Sequence, residues 1–179
     1  YDVVYLDADT LLINGLGAGT ADDGQGLYVY KNGQGRRLVS DLGSFSGFVA
    51  VGQDVVFAGG YSTQNEVLAF SKAELQAAIT GNTTLVGSTD GDLVYAGNVT
   101  DIAVLDNDLV ILDDDFVNFN AVRRIAITVS GDAVSKGATS DIVTPASTGK
   151  VTALSASGPW LGIRFTDGSS DDIALLRMK

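Results

Sequence analysis

The chain has 179 residues, with 22 glycines and 2 prolines, 45% apolar and 18% charged residues, and a formal net charge of −11. It contains no cysteine and no histidine, so no Cys/His zinc site, haem ligation, thiol nucleophile or Ser–His relay can be assembled from this chain alone. The acidic balance opposes binding to nucleic-acid phosphates and anionic lipid and favours cations or basic partners, and no apolar run reaches the length of a membrane span.

In chain order, residues 3–7 and 10–14 read as two strands around the tight turn Ala8-Asp9. A Gly/Asp-rich loop covers 15–26. LYVYK (27–31) alternates as a third strand, Asn32-Gly33 is a hairpin turn, and 36–42 completes a four-strand meander. The second unit has strands at 48–51, 54–58 and 66–70, with Gly59-Gly60 read as loop punctuation. Ser71-Lys72-Ala73-Glu74 is a capping box. It predicts one or two helical turns over 73–79, stopped near Gly81. The fourth strand is 83–88 or 92–96, and counting back from the next unit favours the later one. The third unit has strands at 101–105, 108–112, 122–129 and 141–145. The fourth has 152–157, 160–165 and 172–177, and its fourth strand is missing.

These units are copies. GNVTDIAVLDNDLVI (97–111) matches GSFSGFVAVGQDVVF (43–57) and GKVTALSASGPWLGI (149–163) without a gap, and YDVVYLDADTLLI (1–13) matches from its third position. The third strands superpose as LYVY, VLAF, IAIT and IALL. From second strand to third the spacing alternates: 14 from Ile13 to Leu27, 10 from Phe57 to Val67, 14 from Ile111 to Ile125 and 10 from Ile163 to Ile173. First strands such as Val3-Val4-Tyr5-Leu6 and Phe48-Val49-Ala50-Val51 are apolar on both faces, which calls for cover on both.

On these repeats the chain resembles a β-propeller, and Gly59-Gly60-Tyr61 resembles a kelch repeat in the second unit alone. The resemblance implies an all-β fold of about four four-stranded antiparallel blades in one domain, approximately 1–44, 45–98, 99–150 and 151–179, the last lacking its outer strand. A closed four-bladed ring and a β-sandwich of tandem meanders are the other arrangements the pattern allows. A partial propeller is preferred, because Leu161, Ile163, Leu175 and Leu176 of the last blade would need a neighbour. The chain begins at Tyr1 inside a strand pattern, so a processed segment of something longer is expected. Its composition suits an extracellular, cell-surface or periplasmic setting.

Candidate sites lie in the loops between second and third strands. Asp113, Asp114 and Asp115, with Asp171 and Asp172, are oxygen donors of the type Ca²⁺ takes, although no loop has the EF-hand spacing. A solvated acidic turn is the bland reading of the same residues. Phe116, Phe119 and Tyr61, with Asp22 and Asp23, are candidates for a partner-binding face. Asp7/Asp9 and Asp106/Asp108 are paired carboxylates whose period follows the repeat, which points to turn formation rather than acid–base work. Asp54 and Asp108 are expected to share one repeat position with Thr10 and Trp160. Trp160 is the only tryptophan, read as filling the gap between blades rather than as a ligand platform. The expected function is a non-catalytic interaction scaffold completed by another chain, a second copy or the rest of a longer polypeptide. The alternative is the non-catalytic half of a propeller-fold enzyme (lyase, glycosidase or quinoprotein-like) whose active residues lie elsewhere.

Overall fold

The computed structural model describes residues 2–16, 24–42, 45–61, 65–114, 120–143 and 149–178. In chain order the first elements are β1 (Asp2–Asp7), β2 (Thr10–Leu16), β3 (Gln25–Lys31), β4 (Gln34–Ser40), β5 (Phe45–Val51), β6 (Val55–Tyr61) and β7 (Asn65–Ser71). Then come α1 (Lys72–Gly81), β8 (Leu85–Val86), α2 (Gly87–Asp90) and β9 (Asp92–Gly97). β10 (Val99–Leu105), β11 (Asp108–Asp114), β12 (Asn120–Ser130), β13 (Ala133–Val143), β14 (Lys150–Ser157), β15 (Trp160–Thr166) and β16 (Asp171–Arg177) complete the chain. The fold is all-β, in four sheets ordered β1-β2-β3-β4-β8, β5-β6-β7-β9, β10-β11-β12-β13 and β14-β15-β16. Strands that neighbour one another both in a sheet and in the chain run antiparallel wherever their register is defined. Among the described residues no helix is long and apolar enough to cross a membrane.

Two compact units emerge. One comprises Tyr1–Ala96 with Val129–Ser135, the other Gly97–Thr128 with Lys136–Lys179. Each contains a pair of packed sheets. In the first unit, Leu12, Leu27 and Val29 of the first sheet pack on Val49, Val56, Ala58, Leu68 and Phe70 of the second. In the second unit, Ala103, Leu105, Val110, Leu112 and Val122 of the third sheet pack on Leu161, Ile163 and Leu154 of the fourth. Here Leu161 and Ile163 are fully buried. The expectation that they lacked a neighbour is corrected, because the third sheet covers that face.

Local sequence accounts for several boundaries. Asn32 and Gly33 have positive φ, 53° and 78°, as a two-residue hairpin requires. Ser71 caps α1, its Oγ accepting the Glu74 amide at 3.0 Å. The helix runs one residue earlier and two later than expected, and ends on Asn82 in the left-handed conformation. No basic residue lies in its last turn. Arg36 of β4 supplies the cation instead, donating to the carbonyls of Ala78 at 2.8 Å and Thr83 at 2.9 Å, where the helix dipole favours positive charge. The chain then pairs β8 in parallel with Val39-Ser40 of β4. The insertion between β7 and β9 thus covers the outer edge of the first sheet, and an uncovered edge would template foreign strands. The later candidate for the second unit's fourth strand is β9, beside β7.

Two expectations are corrected. Gly59-Gly60 lies inside β6, because a Cβ on Gly59 would sit 2.0 Å from the Glu66 carbonyl and 2.6 Å from the Phe48 ring; the glycine serves close approach, not a loop. β13 begins at Ala133 rather than near 141, since Gly131, with φ 63°, turns the chain directly after β12. Its polar, exposed sequence hides the strand from any search for apolar alternation.

Candidate functional site

Strand register sets the four sheets in equivalence, residue by residue. Val3 faces Ile13, Val49 faces Ala58, Ile102 faces Ile111 and Leu154 faces Ile163. Counted from the turn, these are four copies of one position. The residue that opens each second strand is Thr10, Val55, Asp108 and Trp160. Asp54 is therefore one place off and does not share the position of Asp108. A bulge precedes Phe48, Asp101 and Ala153, at equivalent places in their first strands.

Side chains of the adjacent sheet take up backbone groups of the edge strands β5 and β14. Asp2 Oδ1 accepts the amide of Val3 and Oδ2 accepts the amide of Val49, both at 2.9 Å. Asp101 Oδ1 accepts Ile102 at 2.9 Å and Oδ2 accepts Leu154 at 2.7 Å. Asn14 Nδ2 donates to the carbonyls of Phe48 and Gly59, each at 2.7 Å, so the Phe48–Val49 peptide is gripped on both sides. The second and fourth sheets carry Phe48 and Ala153 where the first and third carry Asp2 and Asp101. This carboxylate clamp therefore recurs once per unit. Sequence reading missed it. The available signal was Asp one residue before Val3 and Ile102. The 14, 10, 14, 10 spacing is corrected, because register sets Val122 rather than Ile125 where Leu27, Val67 and Ile173 stand.

The acidic candidates are dispersed. Asp113 and Asp114 end β11 and are nearly buried, 6% and 7% exposed. Asp113 pairs with Arg123 at 3.1 Å, and Arg123 also reaches Asp141 at 3.1 Å. Asp114 holds Lys150 Nζ at 3.0 and 3.3 Å. Asp171 pairs with Arg164, and this hydrogen bond lowers its pKa. Asp172 is exposed. Among the described residues no three carboxylates converge as a metal site would require. Asp115, Phe116, Phe119, Asp22 and Asp23 lie outside the described residues, as does the side chain of Tyr61.

The paired carboxylates of the short turns act locally. Asp7 Oδ1 accepts the Asp9 amide at 3.0 Å, the main cause of its lowered pKa. Asp108 takes Arg124 through Nε and Nη2, each at 2.7 Å, and the Ile127 amide at 3.1 Å. Asp167, in the β15–β16 turn, is held down to about 2 by the Ser169 hydroxyl first, then by the Ser169 and Ser170 amides.

The surface candidates are apolar. We call the sheet face with Val3, Val49, Ile102 and Leu154 the back face, and the face with Asp2, Phe48, Asp101 and Ala153 the front. In each unit the front of the first sheet lies on the back of the second. The back of the first sheet leaves Val3 55%, Tyr5 67% and Tyr30 44% exposed. The front of the fourth leaves Trp160 46%, Ile173 75% and Leu175 68% exposed. Trp160 thus stands on an open face, a correction to its reading as a filler between blades. In comparisons with known proteins, no family model and no curated protein matches the chain.

Proposed function

We propose that the chain is a β-propeller segment acting as a non-catalytic interaction scaffold, completed by another chain or by the rest of a longer polypeptide. One observation carries this reading. Leu27, Val67 and Val122 are fully buried, yet Ile173, in the same place on the fourth sheet by strand register, is 75% exposed. A position built for burial in three copies and open in the fourth is a half-made interface, and exposed apolar patches of this kind mark interaction sites. The acidic surface keeps such a particle soluble. The setting proposed is extracellular, cell-surface or periplasmic.

Native mass spectrometry of the particle isolated from its source tests the proposal. The expected result is a mass above the 18.5 kDa of this chain, with Trp160 protected from oxidation. A particle of one such chain alone, with Trp160 oxidised as readily as free tryptophan, counts against it.

A further inference from the structure

Resting on the scaffold reading, we propose the identity of the partner: a second copy of this chain, docked head to tail, with the front face of its fourth sheet against the back face of the neighbour's first sheet. The two open faces are the two halves of a contact that each unit already makes once. Back-face residues that are buried elsewhere are open on the first sheet: Tyr30 stands where Phe70 and Ile125 stand, and these are fully buried. Val3 stands where Val49 is 4% exposed. Front-face residues behave the same way on the fourth sheet, as Ile173 shows. A covering partner must offer a back face to one end and a front face to the other. A copy of this chain offers both.

The chemistry of the two faces is complementary. The front of the fourth sheet sets Trp160 opposite Arg177 and Gly162 opposite Leu175 in register. The back of the first sheet carries Tyr5, Tyr28 and Tyr30 among Val3, Leu11 and Ile13. Aromatic residues and arginine are the side chains interfaces favour, and guanidinium stacks on tyrosine. The fourth sheet carries Ala153 in place of the clamping aspartate, so this docking is apolar contact without a carboxylate clamp. Because front meets back, the contact is heterologous. It builds a ring if the rotation closes and a filament if it does not.

The test uses two variants, Leu175→Lys and Tyr5→Lys, each at an exposed position where folding is little affected; matching far-UV spectra and melting temperatures confirm this. The purified chain is expected to associate as concentration rises, seen by sedimentation, with the Trp160 emission shifting to the blue. Each variant alone is expected to associate about thirty-fold more weakly or worse, the loss typical of an interface hot spot. Mixed, they are expected to form 1:1 dimers and nothing larger, because each retains the face the other lost. If the wild-type chain associates but the mixture stays monomeric, head-to-tail docking is overturned while the scaffold reading stands. Docking is overturned in the same way if the chain is monomeric throughout with Trp160 freely quenched by acrylamide. A monomer with Trp160 shielded means the chain covers its own faces, and both proposals fall.

Discussion

The carboxylate of Asp101 accepts the backbone amide of Leu154 at 2.7 Å, across fifty-three residues of sequence, and Asp2 does the same for Val49. Each bond joins the first strand of one sheet to the first strand of the next. A charged acceptor on a backbone amide contributes more than a neutral bond. Asp101→Ala is therefore expected to lower stability by about 2 kcal/mol, read as a drop in urea midpoint at unchanged slope. A loss no larger than that of Ser157→Ala would mean that the carboxylate does not hold the two sheets together.

Gly59 and Gly33 predict opposite magnitudes for the same substitution. At Gly59 an added methyl meets the Glu66 carbonyl and the Phe48 ring; backbone cannot yield, and Gly59→Ala should cost about 3 kcal/mol or more. At Gly33 nothing lies within 4 Å, and only the positive φ is penalised. Gly33→Ala should cost about 1 kcal/mol. Thermal melts of the two variants make the comparison.

Glu74 is pushed upward from its ordinary 4.5, by burial first and then by Asp132, Asp90 and Asp92. Its ionised form therefore works against folding. The stability it contributes is present at acid pH and lost as pH rises through the folded pKa. The group is largely solvated, so the effect is small: Glu74→Gln should stabilise by about 0.5 kcal/mol at pH 7 and by nothing at pH 4. Added salt should narrow the difference.

Asp167 runs the other way. Its folded pKa of about 2 lies below the ordinary 3.8, so what its hydrogen bonds contribute is present above that ordinary value and lost as pH falls through about 2. Carboxyl NMR titration should find it there, and Ser169→Ala should move it upward, since the Ser169 hydroxyl is the first cause.

Lys150 sits on a nearly buried carboxylate. Lys150→Met takes the ammonium away from the Asp114 carboxylate, which is 7% exposed, and should cost about 3 kcal/mol. The same pairing sets the expectation for Ca²⁺. With Arg123 and Lys150 in place, excess Ca²⁺ or chelator should leave the melting temperature unchanged. A rise abolished by Asp114→Asn would show the ion binding there after all.

Local chemistry was legible in the residues themselves. Asn32-Gly33 specifies its turn and Ser71…Glu74 its helix start, because each is decided by atoms a few bonds apart. Alternating apolar residues disclosed the repeated strands. Three things required the fold. Strand register moved the shared position from Asp54 to Val55, since a gapless match of residue types carries no record of which residues pair. Asp2 and Asp101 became clamps only when strands far apart in sequence met. Burial at equivalent places also differs, 0% at Val122 and 75% at Ile173, although both are β-branched aliphatics in like strands. Hydrophobicity is a property of the residue, whereas burial belongs to whatever packs against it, and that neighbour is set by the tertiary structure alone.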